Sequence, residues 1–197
     1  MVLLQCKSNA LLALQGINWP AIIASFGTVV AIIFNFKLSK KTLYEKRLEE
    51  KRAFMKAQLN EFYAPLILLR EKSNKIYEKF REKYVAKDEH FSTLSYLLND
   101  FKFDENDESL LREIIAIGTK CEELIHNNAG LIDDENLRDI LIPRATTHFL
   151  MIRLAFEKKI KGRSEEFKDL TFPRELDQRL KKRKQEIQNE LETLLRP

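Results

Sequence analysis

The stretch that decides the predicted fold is INWPAIIASFGTVVAIIFNF, residues 17–36, which carries no charged side chain. A helix rises about 1.5 Å per residue, so about 20 residues make about 30 Å of helix, the thickness of a bilayer's hydrocarbon core. Trp19 is typical of a membrane interface, and Pro20 is typical of the first turn of a helix. The stretch therefore predicts a transmembrane helix over residues 17–36.

The flanking charges predict the orientation of this helix. Residues 37–56 hold three anions and eight cations, the latter being Lys37, Lys40, Lys41, Lys46, Arg47, Lys51, Arg52 and Lys56. The positive-inside rule then keeps the long C-terminal part in the cytoplasm and leaves a short N-terminus outside. In a secretory signal peptide the basic cluster precedes the apolar run, whereas here it follows. A buried core helix is the other alternative, but such a helix normally has a polar face.

The composition of the remaining chain predicts an all-α fold. Five glycines in 197 residues and few β-branched runs outside residues 17–36 argue against a sheet. The net charge is only +4. Cys6 and Cys121 lie on opposite sides of the predicted membrane and outside any CxxC or Cys/His cluster, so we expect no disulfide, no zinc and no other cofactor.

Hydrophobic periodicity and breaks predict five segments. They are an N-terminal segment (1–16), the transmembrane helix (17–36), a juxtamembrane helical stalk (37–64), an antiparallel helical bundle (65–162), and a loop with a C-terminal helix of coiled-coil character (163–197). We expect Pro65 to break or kink the chain and Pro143 to begin a new helix. The acidic segments 104–109 and 133–135 are expected at helix N-termini, where negative charge is favourable, rather than at a Ca²⁺ site.

Small and polar residues share one side of the predicted transmembrane helix: Ala24, Gly27, Thr28, Ala31 and Asn35. Small residues let helices approach closely in lipid, and polar side chains there favour facing another helix or water. A single-pass chain has no second span of its own, so the pattern predicts a homo-oligomer. The alternative is a monomeric anchor with incidental small residues.

Candidates for chemistry are few. Arg144 and His148 lie four residues apart, which places both on one face of a helix as a weak catalytic pair. The alternative is a histidine that is hydrogen-bonded within the bundle. No phosphate-binding loop, nucleophile elbow or HExxH is present, so an enzyme is not expected.

Two basic clusters are candidates for binding nucleic acid phosphates or anionic lipid headgroups. Their members are Lys158, Lys159, Lys161, Arg163, Arg179, Lys181, Lys182, Arg183 and Lys184. The alternative is a solvated helix face, because glutamates alternate with the last of these cations.

Four short motifs carry a resemblance that covers most of residues 20–180. They are GlnLeuAsnGluPheTyrAlaProLeu (58–66), LeuIleAspAspGluAsnLeu (131–137), ThrThrHisPhe (146–149) and PheProArgGluLeuAsp (172–177). With one span and a charged stalk, they resemble bacterial single-pass membrane proteins that have a PheTyr-x-ProLeu element. The layout also resembles anti-phage defence effectors, namely the channel-type effector of the Hailong system and a pore-forming CRISPR accessory protein with a HEPN-like cytoplasmic part.

The resemblance implies a bacterial inner-membrane location, and together with the residue patterns it leaves three alternative functions. The first is an oligomeric effector that permeabilises the membrane or forms an ion channel in antiviral defence, gated by its cytoplasmic bundle. Its regulator would be a nucleic acid or a partner protein of the defence system. The second is a membrane-anchored adaptor that recruits a cytoplasmic partner. The third is a HEPN-like membrane-tethered ribonuclease that uses Arg144 and His148, although the Arg-x3-His spacing is shorter than that family's usual spacing.

Overall fold

The computed structural model describes residues 19–89, 91–162, 166–167 and 170–196, and within residues 19–31 it describes the side chain of Thr28 alone. Every regular element in these ranges is helical, so the predicted all-α class is confirmed. The chain divides into two compact units, residues 1–50 and residues 51–197. The predicted N-terminal segment 1–16 lies outside the described residues.

The first unit contains most of helix α1, Trp19–Ala57. Two pairs of oppositely charged side chains support its helical turns, Lys41–Glu45 at 3.8 Å and Lys46–Glu50 at 4.0 Å. Among the described residues, no helix combines the length and the apolar character needed to cross a bilayer. Most side chains of the predicted span 17–36 lie outside the described part of the chain.

The second unit is built from helices joined by short connections. In chain order these are a π-helical turn (Gln58–Tyr63), α2 (Ala64–Val85), α3 (Thr93–Leu98), α4 (Glu105–Asn127), a 3₁₀ turn (Ala129–Leu131), a second π-helical turn (Leu137–Leu141), α5 (Ile142–Phe156) and α6 (Glu175–Leu195). Helix α2 packs against α4 and α6, and α5 packs against α3 and α4. Helix α6 also contacts both π-helical turns, so the last helix belongs to this unit.

Both π-helical turns precede a proline at the same offset. The N–H of Ala64 donates to Leu59 O and the N–H of Ile142 donates to Leu137 O, each five residues back, and the next residues are Pro65 and Pro143. Proline lacks an N–H and its ring clashes with the carbonyl four residues back in an α-helix. We infer that the wider π turn accommodates the ring. The predicted helix start at Pro143 is confirmed, since Pro143 lies in the first turn of α5. At Pro65 the backbone stays helical, so of the predicted break or kink the break is wrong.

The two acidic segments cap helices, as their positions predict. Asp104 precedes α4, and its Oδ1 accepts from the backbone N–H of Asp107 at 2.9 Å. Asp134 Oδ1 accepts from the backbone N–H of Leu137 at 2.9 Å. Each carboxylate satisfies a backbone donor that has no partner within its helix.

Two hydrophobic clusters form the core of the second unit. The first gathers the two π-helical turns, α2, α4 and α6 around Phe62, Tyr63 and Leu180, none of which is exposed. The second gathers the aromatic end of α2 with α3 and α5 around Phe80. The apolar stripe of α6 that predicted coiled-coil character instead packs into the first cluster through Leu180 and Ile187, with Leu191 and Leu194 against its edge. The apolar face of α6 is therefore buried against helices of the same chain and not against a second helix of a coiled coil.

Candidate functional site

A cavity of about 550 Å³ is the candidate site of the second unit. This volume lies in the range of small-molecule sites, which is about 300–1,000 Å³. Its walls include members of the second core cluster, such as Leu94, Leu111 and Ile152, and side chains packed against the first, Phe149 and Phe172. The cavity therefore lies where the two clusters meet.

A buried arginine forms one wall of the cavity. Arg70 on α2 is 6% exposed, and its Nε and Nη2 donate to the two carboxylate oxygens of Asp177 at 2.9 and 3.2 Å. Asn74 Nδ2 donates to the same carboxylate at 2.7 Å, and the guanidinium lies 4.1 Å from the ring centre of Phe172. Burial by itself raises the pKa of Asp177, but the hydrogen bonds and charge of Arg70, together with the hydrogen bond from Asn74 and the charge of Lys181, outweigh it and hold this pKa below its usual value.

Two further arginines line the cavity, and neither has an ion-pair partner among the described residues. The side chains of Arg81 and Arg174 are exposed and form no ion pair with any residue that the structure describes. With Arg70 and Asp177, the described charged side chains of the lining carry a net charge of +2. Since a guanidinium presents paired N–H donors to phosphate or carboxylate, the lining is suited to an anion.

Two hydroxyl groups in the lining have no hydrogen-bond partner among the described residues. Thr93 is 7% exposed, and its Oγ1 is itself buried. Ser73 is a buried residue, but its hydroxyl is not one of the buried oxygen atoms that lack a partner in the described part of the chain. An unsatisfied buried hydroxyl costs about 1–3 kcal/mol, so Thr93, and Ser73 once an occupant covers it, favour an occupant with polar atoms.

His148 lies at the cavity, but Arg144 does not. The Nδ1 of His148 is 2.9 Å from the carbonyl oxygen of Leu170, which can only accept, so Nδ1 carries the proton. Burial lowers the pKa of His148. Arg144 is exposed, does not line the cavity and makes no side-chain hydrogen bond with a described residue. Both residues lie on α5, four positions apart, and of the two only His148 lines the cavity; their catalytic role stays a prediction.

A second polar cluster joins α6 to the first π-helical turn. Asp133 accepts from Tyr63 Oη at 3.1 Å and from Arg183 Nε at 3.2 Å, and Gln58 Nε2 donates to Leu131 O at 2.9 Å. Burial raises the pKa of Tyr63, and the adjacent Asp133 raises it further, so the phenol stays protonated. These groups satisfy one another, and we assign the cluster to holding the fold together.

The predicted basic surface is largely paired within the chain. Six of its eight described cations form ion pairs: Lys159–Glu157, Lys161–Asp100, Arg179–Asp134, Lys181–Glu71, Lys182–Glu186 and Arg183–Asp133. Lys158 and Lys184 form none with a described residue, and Arg163 lies outside the described residues. Binding of nucleic acid or lipid by this surface stays a prediction.

The predicted helix-packing face falls mostly outside the described side chains, which include neither Ala24, Gly27 nor Ala31. Thr28 and Asn35 are described, and both are exposed. Their role in oligomerisation stays a prediction.

Among the described residues, no group of His, Cys, Asp or Glu side chains is arranged to hold a metal ion. Cys121 is a buried free thiol, and burial raises its pKa to about 11. It is therefore placed as a small core residue and not as a reactive thiolate.

The sequence did not single out the residues that make the cavity polar: Arg70, Ser73, Asn74, Thr93 and Asp177. One signal was available, because Arg70 lies three and four residues from the apolar Ile67 and Leu66 and so shares the buried face of its helix. A charge on such a face requires a partner.

The motifs 58–66 and 131–137 contact each other through Tyr63 and Asp133. The motifs 146–149 and 172–177 contact each other through His148 and Phe172, whose ring centres are 5.8 Å apart. All four motifs that carry the resemblance therefore lie at the cavity or at the polar cluster. Comparison with protein families, with curated proteins and with solved structures finds no match for this chain.

Proposed function

We propose that this chain is an oligomeric bacterial inner-membrane effector whose helical unit, residues 51–197, controls permeation by its membrane helices. The observation that carries the proposal is the uncharged run 17–36 followed by eight cations within residues 37–56. The short N-terminus would lie on the outer side of the inner membrane and the helical unit in the cytoplasm. A role in anti-phage defence rests on the resemblance alone.

The described end of the uncharged run supports this proposal. Ile32, Ile33, Phe34 and Phe36 are consecutive or nearly so on α1, and each is between 52% and 66% exposed. Large apolar side chains exposed around a helix mark a surface that is covered by lipid or by another chain. Asn35 among them is a polar group that favours a helix–helix contact or a water-filled pore over lipid.

The cavity is the reason to assign control, and not only tethering, to the helical unit. Its walls come from α2, α3, α4, α5 and the segment 171–177, so an occupant would touch most elements of the unit at once. A ligand that binds one packing of these helices better than another shifts the population toward that packing. Such a shift is the form of signal that a gate requires.

Substitution on the packing face tests the effector function. Gly27→Leu or Ala31→Leu should prevent close helix approach, and so abolish both the oligomeric mass in detergent and the release of a dye from vesicles. The matched control is Val29→Leu, which adds bulk to the same helix about 140° around from Ala24 (about 100° per residue), away from that face. All three variants should still insert into the membrane.

Each other outcome contradicts part of the proposal. If Gly27→Leu and Ala31→Leu both keep the full oligomeric mass, the oligomer does not form through this face. If the unaltered chain is a monomer or a dimer, it cannot form a pore, because about four or more helices are needed to enclose one; this result would favour an anchored adaptor. Ribonuclease activity that is lost in Arg144→Ala and His148→Ala would favour the tethered nuclease.

A further inference from the structure

We propose that the cavity binds a small phosphorylated molecule that carries a polar planar ring, the nucleotide class of ligand. This inference rests on the cavity and does not depend on the membrane function. Four features of the described residues carry it: the volume, the excess of positive charge, the unsatisfied hydroxyls and the aromatic walls.

The charge of the lining points to a phosphate. Arg81 and Arg174 have no ion-pair partner among the described residues. Arg70 donates hydrogen bonds from Nε to Asp177 and from Nη2 to Asp177 and Asn74, while its Nη1 makes no hydrogen bond with any described group. Three guanidinium groups facing one cavity against a single carboxylate match a ligand with two negative charges, and arginine is the residue that recognises phosphate oxygens in pairs.

The hydroxyls distinguish a polar ring from an acyl chain. Thr93 Oγ1 is buried without a hydrogen-bond partner among the described residues, and the Ser73 hydroxyl lines the cavity with no hydrogen bond to a described group. An alkyl chain would leave both groups unsatisfied, at a cost of about 1–3 kcal/mol each. A ring that carries amino or carbonyl groups would supply their missing partners, so the observations favour this ligand over a fatty acid.

Aromatic side chains supply a place for the ring. Tyr77, Phe91, Phe149 and Phe172 line the cavity, and Gly118, which also lines it, packs against the Phe149 ring. Stacking on such faces is worth about 1–3 kcal/mol per base and is open to any base. The lining therefore predicts the class of ligand and does not select one base.

A binding titration on the full chain in detergent tests the proposal. The probes are ATP, GTP, AMP and GMP, with adenosine, inorganic phosphate and octanoate for comparison. At least one nucleotide should bind with a Kd below about 1 mM, and adenosine and phosphate should each bind at least about tenfold more weakly because each lacks one half of the contacts. Failure of all four nucleotides, or tighter binding of octanoate, would overturn the proposal.

Variants locate the bound nucleotide. Arg81→Ala and Arg174→Ala should each weaken binding about tenfold, the loss expected for a hydrogen bond to a charged group. Thr93→Val keeps the side-chain shape and removes only the unpartnered hydroxyl, so it should weaken binding several-fold without lowering the melting temperature of the free protein. The matched control is Arg196→Ala, an exposed arginine outside the cavity, which should bind as the unaltered chain does.

If Arg81→Ala, Arg174→Ala and Thr93→Val all bind nucleotide with the affinity of the unaltered chain, the nucleotide binds outside the cavity and the proposal is overturned. The outcome is independent of the membrane function. If the chain binds nucleotide but stays monomeric, the proposed effector function is wrong and the nucleotide site stands. If the chain forms an oligomer that releases dye but binds no nucleotide, the nucleotide site is wrong and the effector function stands.

Discussion

Lys158 takes a backbone conformation that glycine usually occupies. Its φ is +58°, and it follows the last turn of α5, where Lys158 N–H donates to Ala155 O and Lys159 N–H donates to Leu154 O. This pair of bonds is the Schellman arrangement, whose left-handed residue is most often glycine. Asp100, with φ of +54°, ends α3 in the same way. The lysine thus holds a conformation that its Cβ disfavours.

Lys158→Gly should therefore raise the free energy of unfolding by about 0.5–1 kcal/mol, because it relieves the Cβ contact at positive φ. Denaturation of the full chain in urea measures the change. The control is Lys159→Gly, the next residue, whose φ is not positive and whose variant should gain nothing. A loss of stability in Lys158→Gly would mean that the lysine side chain stabilises the turn by more than its backbone conformation costs.

Protonation of His148, in the cavity wall, makes the stability of the fold depend on pH. Burial lowers the pKa of this imidazole in the folded chain, and the nearby Arg70 lowers it further, against the hydrogen bond to Leu170 O. An unfolded histidine has a pKa of about 6.5. The unfolded state therefore takes up a proton at a higher pH than the folded state does.

It follows that the stability due to neutral His148 is fully present above about pH 6.5 and is lost as the pH falls from there toward the lower folded pKa. Melting temperatures between pH 7.5 and 5 should show the decline. His148→Asn keeps a donor for Leu170 O but cannot titrate, so its decline should be smaller. His126→Asn, which replaces an exposed histidine, is the control and should decline like the unaltered chain. An identical slope in all three proteins would contradict this account.

At the scale of elements, the first π-helical turn sets the helical register between α1 and α2, and so determines which of their side chains are buried in the core. Met55 before the turn and Leu66 after it are both buried, with Phe62 and Tyr63 inside the turn. A residue inserted into an α-helix rotates everything beyond it by about 100° relative to everything before it. The extra residue of the turn therefore brings both flanking stripes onto the same core cluster.

Asn60 is an exposed residue of this turn. Its deletion should lower the free energy of unfolding by about 3 kcal/mol or more. The deletion would turn Met55 away from the core if Phe62 stays in place, and would separate Gln58 from Leu131 O. The substitution Asn60→Ala keeps the chain length and should change stability by about 0.5 kcal/mol or less. Urea denaturation of both proteins measures the difference, and equal stabilities would show that the register does not depend on the turn.

At the scale of the whole molecule, the fold class was readable from the sequence and the cavity was not. Sparse glycine and 3.6-residue periodicity are local properties, and they predicted the helices, the caps at Asp104 and Asp134 and the all-α class correctly. The pair Arg70–Asp177 joins residues 107 positions apart in sequence. No local pattern predicts which helices meet, so the partner of Arg70 and the unsatisfied Thr93 could be found only in three dimensions. The π-helical turns were missed for a related reason, since proline usually ends a helix.

The two core clusters also predict how the chain divides. Every buried apolar side chain of both clusters, from Met55 to Ile187, belongs to residues 51–197. About 147 residues with a continuous set of buried contacts are in the size range of an independent domain. The stability of this unit should therefore not require residues 1–50.

We expect a fragment of residues 51–197 to be soluble without detergent, helical by circular dichroism, and to unfold in one cooperative transition. Its melting temperature should lie within a few degrees of that of the full chain, because all of its buried contacts are retained. A fragment of residues 64–197 is the control. It lacks Met55, Gln58, Phe62 and Tyr63, so it loses part of the first cluster and the bond to Leu131 O, and it should melt at least about 10 °C lower. A fragment 51–197 that fails to fold would show that the first unit contributes to the stability of the second.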